Sequence, residues 1–428
     1  MIAIFGEYTR KSPSKTAGHA LSRAGRNGIT CRAGPGCPLS LSAGTETTTE
    51  RYEERPGRVR SPPSEAMRSF LSCSGMLLCL LALSAAGCDS DSGMDEVTPE
   101  PSGDYPALKT LAVHPVGVAI QAVHLSSPER TTVIEKVFNS ITAEWEMKMN
   151  PISTGPGSYN WTGADALVDF AEENGMQVHG HTLVWHQTTP SWMENFRGSD
   201  EAFEEAVKEY ITTVIARYKG RVVSWDVINE AFDDERGELR NSVFRRRMGD
   251  DYIARLFQYA READPDLLLF YNDYGLTWSL PKRRAVMRML DDFLERGIPI
   301  DGVGLQMHMA WDSPPREEIT ATIDEVVKRG LKLHLSELDV RINTDGSLRS
   351  WNTARGNIQK ERVKEVVAAF NRIPEEQRFA ITLWGLRDPD TWLIDFYDRP
   401  EWPLLFDAQF RPKPAYYGFV EALQEAQE

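Results

Sequence analysis

The sequence predicts a single (β/α)8 barrel of the TIM type over residues 108–428, and three observations predict it. From about Leu108 onward, short apolar runs alternate with longer amphipathic stretches, as parallel strands do with their crossover helices. Eight such runs are present, the number that closes a barrel. All five cysteines (Cys31, Cys37, Cys73, Cys79 and Cys88) precede residue 89, so the region beyond must be held by its core, and its length is ample for that. A doubly wound open sheet is the alternative. No glycine-rich phosphate loop follows the first run, which counts against it.

Taken in order, residues 1–66 are rich in Gly, Pro, Ser, Thr and Arg, with no sustained apolar period. They carry ten Lys/Arg against six Asp/Glu and read as an over-extended or disordered segment. Residues 67–88, MRSFLSCSGMLLCLLALSAAGC, have a basic start, an apolar run too short for a comfortable membrane span, and small residues before a cysteine. That is the layout of a secretory signal, which makes Met67 the expected start. The ending SAAGC is similar to a bacterial lipobox, with Ala85 where Leu is usual, and makes Cys88 the expected lipidated residue. An ordinary cleaved signal is the simpler alternative. Residues 89–107 are acidic and rich in Pro, Gly and Ser, the composition of a linker.

The eight runs that follow are VGVAIQAV, NSITAEW, MQVHGHTLVW, VVSWDVINEA, LLLFYNDYG, DGVGLQMHM, LKLHLSELDV and FAITLWGL. Between them lie helical patterns such as EEAVKEYITTVIARYKG and KRRAVMRMLDDFLERG, several ending in Gly as a helix C-terminus does. The formal charge of −15 argues against a nucleic-acid partner and fits a neutral or sugar substrate. All eleven tryptophans lie at or beyond Trp145, inside the predicted barrel. A monomer is expected, touching membrane only through a lipid anchor at Cys88.

Active sites of such barrels form at the C-terminal strand ends. Polar and aromatic groups collect there: Glu144 and Lys148; His181, Trp185 and His186; Asn229 and Glu230; Asn272, Asp273 and Tyr274; Gln306 and His308; Glu337 and Asp339; Trp384 and Trp392. A lone glutamate at a strand end is ordinarily solvated or ion-paired. Convergence of seven strand ends on one face is what packing does not supply. Glu230 and Glu337 end the fourth and seventh strands, so they face each other across the mouth. Two facing carboxylates are the minimum equipment for glycoside hydrolysis, one as acid and the other as nucleophile or base. Tryptophan faces suit sugar rings. His308 and Asp339 suit a hydrogen-bonded cluster around Glu337.

The stretches SITAEWEMK, GHTLVWH, WDVINEA, YNDYGL, DGVGLQMH, LSELDV, LWGLRDPDTW and PLLFDAQFRPKPAYYGF resemble glycoside hydrolase family 10, over about Val118 to Phe419. The resemblance implies a retaining endo-1,4-β-xylanase that needs no cofactor. It implies Glu230 as acid/base and Glu337 as nucleophile, with His308 and Asp339 orienting Glu337. It also implies Asn229 at the sugar 2-hydroxyl, Glu144, Lys148, His181 and Trp185 on the glycone side, and Gln306 among the substrate contacts. Trp384 and Trp392 become walls over the reacting sugar, and Tyr274 an aglycone platform.

Two positions depart from the family pattern. Trp145 stands where Asn usually follows Glu144, and Gln187-Thr188-Thr189-Pro190 replaces the usual Ser-Gln-Leu-Pro. Both touch the glycone side, and Trp145 either stacks or packs inward. A zinc reading of His179, His181 and His186 lacks a third ligand on the shared strand face, so no metal is expected. Arg245, Arg246 and Arg247 read as a solvated helix face, and Trp311 as either a sugar platform or a lid on the core. Two other functions compete: a retaining hydrolase of another β-glucan or glycoside, and a non-catalytic glycan-binding protein. The paired carboxylates with their supports argue against the latter.

Overall fold

The computed structural model describes residues 104–428. The expected N-terminal segment, the expected signal with Cys88, and the expected linker up to residue 103 lie outside the described residues. The described chain forms eight parallel strands: β1 (Val116–Ile120), β2 (Ser140–Ala143), β3 (Gln177–Gly180), β4 (Ser224–Asn229), β5 (Leu268–Asp273), β6 (Gly302–Ala310), β7 (Lys332–Arg341) and β8 (Arg378–Leu383). Each pairs with the next in sequence, and β8 pairs with β1, so the sheet closes. Closure leaves no unpaired edge.

A long helix follows each strand, some with a shorter one before it: α1 (Pro128–Val137), α2 (Thr162–Glu173), α3 (Asp200–Tyr218), α4 (Tyr252–Ala263), α5 (Leu280–Arg296), α6 (Arg316–Val327), α7 (Thr353–Asn371) and α8 (Pro414–Glu425). Local chemistry sets several of their ends. Ser199 Oγ accepts from the Ala202 amide at the start of α3, and Asn352 Oδ1 from the Arg355 amide at the start of α7. Gly297 closes α5 in the left-handed conformation.

The strands are buried on both faces, inside by the barrel core and outside by the helices. In β7 eight of ten residues are buried. The barrel interior is filled, not hollow. His179, Phe270, His334 and Phe379 interlock there, with ring centroids 4.6 Å apart for His179–His334 and for Phe270–Phe379. Tyr105, assigned from sequence to the linker, packs its ring 5.2 Å from that of Tyr416.

Two expectations need adjusting. The third run, MQVHGHTLVW, is not one continuous strand. After Gly180 the chain steps across to β4, where the Asp226 carbonyl accepts from the Leu183 amide and the Thr182 hydroxyl. Val184–Trp185 then pairs with Ile228 and Asn229 as a separate short piece. The three arginines are more than a solvated face. Arg246 donates to the Asn241 carbonyl at 2.9 Å and Arg247 to that of Phe196 at 3.3 Å, fastening neighbouring loops. Trp311 donates to Thr344 Oγ1 at 3.1 Å and lies 5.0 Å from the Arg355 guanidinium, which holds it against the loop after β7.

Candidate active site

Backbone geometry singles out two residues at the barrel mouth. Glu230 and Glu337 both have φ of 57°, the left-handed region that side chains other than glycine seldom occupy. Such a conformation costs about 1–3 kcal/mol and persists only where the surroundings impose it. Glu337 sits in a register shift of β7 against β6, between the pairs Ser336–Gln306 and Asp339–His308. The bulge re-aims its side chain. The β4 register against β5 shifts at Val227, and the Glu230 amide is then held by the Asn272 carbonyl at 3.0 Å.

Glu230 is 6% exposed and Glu337 5%. Glu230 Oε2 accepts from Trp185 Nε1 at 3.0 Å, and its Oε1 accepts from Asn229 Nδ2 and Gln306 Nε2 at 3.2 Å each. Its hydrogen-bonding partners are thus uncharged. Burial first, then the charge of Asp273, pushes its carboxyl up to about 7 against the opposing pull of Lys282.

Glu337 accepts from Asn272 Nδ2 at 2.8 Å and from His308 Nε2 at 3.1 Å. Burial would push it up as well. The His308 hydrogen bond and the charges of His181, His308 and Lys148 overcome that and hold it below the ordinary carboxylate range. His308 is itself anchored by Asp339, whose Oδ2 lies 2.9 Å from Nδ1 and also accepts from Trp392 Nε1 at 3.0 Å. Burial would neutralise the imidazole, but Asp339 and then Glu337 raise it to about 10, so it stays cationic.

The structure brings the other expected residues to the same mouth. Asn229 Oδ1 accepts from Gln306 and from Asn272, both at 2.9 Å. The Lys148 ammonium is buried 4.8 Å from the Trp185 ring and 5.7 Å from that of Trp384. Burial lowers its affinity for a proton, while Glu337, Glu144 and Glu230 draw it back. Burial raises Glu144, and Gln121 and Lys148 oppose that. His181 bonds Asp226 at 2.8 Å and meets the Trp384 ring edge-on at 5.4 Å. Trp392 lies against His308 at 5.0 Å. Tyr274 donates to Asp234 at 2.7 Å and accepts from Arg240 at 2.8 Å. Trp145 is 42% exposed, its ring 6.0 Å from the Lys148 ammonium, so it does not pack inward. Gln187 is exposed in the short turn after Trp185. His179 bonds Ser224 at 2.7 Å and lies 3.0 Å from Asp226, in the barrel core.

Several contributors carry no role in the sequence reading. Asn272 is the hinge between the two carboxylates, since one amide nitrogen reaches both Asn229 and Glu337 while its oxygen accepts from Ser336 at 2.6 Å. Gly304 makes room for it, because a Cβ there would sit 2.2 Å from the Asn272 oxygen. Asp273 and Lys282 form a fully buried pair at 2.6 Å. Tyr271 donates to the same Asp273 at 2.6 Å and accepts from the Ala231 amide at 3.2 Å. The position of Asp273 at a strand end was a visible signal. Lys282, one residue in a basic helix start, gave none.

The arrangement supplies one carboxyl pushed up to about 7 and one held below the ordinary range, joined by the hydrogen-bonded amides of Asn229, Asn272 and Gln306. Residues 107–422 match the glycosyl hydrolase family 10 model. The endo-β-1,4-xylanase Xyn10C of Cellvibrio japonicus is 40% identical over 338 residues, covering 72% of this chain and 56% of that protein. This chain thus spans a little over half of that relative's length. An endo-1,4-β-xylanase of Geobacillus stearothermophilus is 39% identical over 318 residues, covering 71% and 94%. The solved native xylanase 10C of Cellvibrio japonicus superimposes with a TM-score of 0.73 at 38% identity, over 75% of this chain and 73% of that one. A variant of that xylanase has been solved with xylopentaose. Sequence match, barrel and paired carboxylates agree, and this chain belongs to glycosyl hydrolase family 10.

Proposed function

We propose that the protein is a retaining endo-1,4-β-xylanase that cuts internal xylosidic bonds by double displacement. The unlike surroundings of the two buried carboxyls carry this reading: burial and Asp273 push Glu230 up to about 7, while the His308 contact holds Glu337 below the ordinary carboxylate range. In the first step Glu337 attacks the anomeric carbon as Glu230 gives its proton to the departing oxygen. The glycosidic bond breaks and an ester to Glu337 forms. In the second, Glu230 takes a proton from water, the water oxygen bonds the anomeric carbon, and the Glu337 ester bond breaks. The same carboxyl serves both steps because, pushed up to about 7, it can give and take a proton near neutral pH.

Asn229 holds the 2-hydroxyl, where hydrogen bonding strengthens as charge develops at the reacting carbon. Glu144, Lys148, His181 and Trp185 contact the glycone, Tyr274 the aglycone, and Trp384 and Trp392 wall the reacting sugar. Gln306 fixes Asn229 and Glu230 together. The xylanase relatives support xylan as substrate over other β-glycans. Reducing-sugar release from xylan, mixed-linkage β-glucan and cellulose, measured side by side, tests this. Preferred cleavage of a glucan would favour the second reading, a retaining hydrolase of another β-glycan.

The proposal extends to location. Export through residues 67–88 and lipidation of Cys88 would tether the barrel to a bacterial envelope through the acidic linker. Intact mass and membrane fractionation test this. A soluble secreted protein without a lipid on Cys88 would refute the anchor.

A further inference from the structure

Trp278 is 48% exposed, although an indole gains much from burial. It is not loosely held. It lies in the loop joining β5 to α5, where its amide and that of Ser279 both bond the Gly275 carbonyl, at 3.1 and 2.7 Å. Ser279 Oγ ties the loop to the Asp234 carbonyl at 2.6 Å. The indole rests on Gly275, where a Cβ would come within 3.0 Å of the ring. Gly275 also has φ of +76°, so the position needs glycine for conformation and for space.

The ring centroid lies 6.4 Å from that of Tyr274, tilted by 38°. Tyr274 is tied to the acid: Arg240 donates to its hydroxyl at 2.8 Å and to the Glu230 carbonyl oxygen at 3.1 Å. Arg240 thus links Tyr274 to Glu230, and Trp278 is the next aromatic ring beside Tyr274. Ordering an indole costs rotamer freedom, and exposure returns little of it to folding. A fixed, exposed aromatic beside a ring that is tied to the acid is the equipment of a ligand site.

We propose that Trp278 is a sugar-stacking platform on the leaving-group side, one unit beyond the sugar resting on Tyr274, and selects chains with at least two sugars after the cleaved bond. This rests on the xylanase reading above. If Trp278 only covered its loop, truncation would alter stability and leave chain-length preference alone.

The test compares kcat/KM for xylohexaose with that for an aryl xylobioside, whose leaving group is too short to reach Trp278. In Trp278→Ala the ratio of the two should fall about tenfold, the scale of one lost stacking contact. Trp278→Phe should restore most of it. An unchanged ratio in folded Trp278→Ala, or a loss that Phe does not mend, overturns the proposal. If the wild type instead cleaves cello-oligosaccharides and spares xylan, the xylanase reading fails. The same ratio measured in the cello series then still decides the role of Trp278.

Discussion

Glu230 directly follows β4 and Glu337 lies at the bulge within β7, with equal φ and nearly equal burial. Desolvation pushes both in the same direction. Glu230 has amide and indole donors close by and a carboxylate, Asp273, behind it. Glu337 has an imidazolium in direct contact. The neighbour that outweighs or reinforces desolvation decides which carboxyl becomes the acid, and burial alone does not.

The largest expected effect comes from removing the ionised partner. Glu337→Ala should lower kcat on xylan by on the order of 10^4-fold or more, since no covalent step remains. Added azide should enter in its place and yield the α-glycosyl azide. Glu230→Ala should lose about 10^2–10^4-fold on xylan, the worth of a positioned general acid. Substrates with good leaving groups should suffer less in the first step, and azide should rescue turnover as the β-glycosyl azide. NMR of the two azides checks the assignment, and exchanged stereochemistry would reverse the roles.

Smaller changes probe the electrostatics. Activity needs Glu230 protonated, so it should fall as pH rises through about 7. Activity also needs Glu337 ionised, so it should fall as pH drops through that group's depressed value. His308→Gln removes the imidazolium, Glu337 rises, and the acid limb of kcat/KM moves to higher pH while the alkaline limb stays. Asp273→Asn removes a charge that raises Glu230. Its proton is then lost earlier, and the alkaline limb moves to lower pH. Limbs that move together in either variant would break the contrast between the sites.

The smallest expected effect is at Trp145. Trp145→Asn should shift the pattern of products from xylooligosaccharides more than it changes hydrolysis of an aryl xyloside. Unaltered products, measured by chromatography, would remove Trp145 from the glycone site.

The sequence by itself determined the eight strands and the two carboxylates, because these are local signals. An apolar run such as LKLHLSELDV has the length and composition of a strand buried on both sides, and its polar end marks the mouth. Departures such as Trp145 were legible too, since identity at one position needs no partner to be read. The break after Gly180 was not, because the same apolar letters serve a continuous strand or a stepped one.

Tertiary structure alone decided how each carboxyl titrates. Asn272, Asp273 and Lys282 reach the site from β5 and α5, and His308 from β6, all distant in sequence from at least one group they govern. Their influence depends on distances of a few ångströms in a medium of low polarity. Closing the barrel creates those distances. No run of neighbouring residues encodes them.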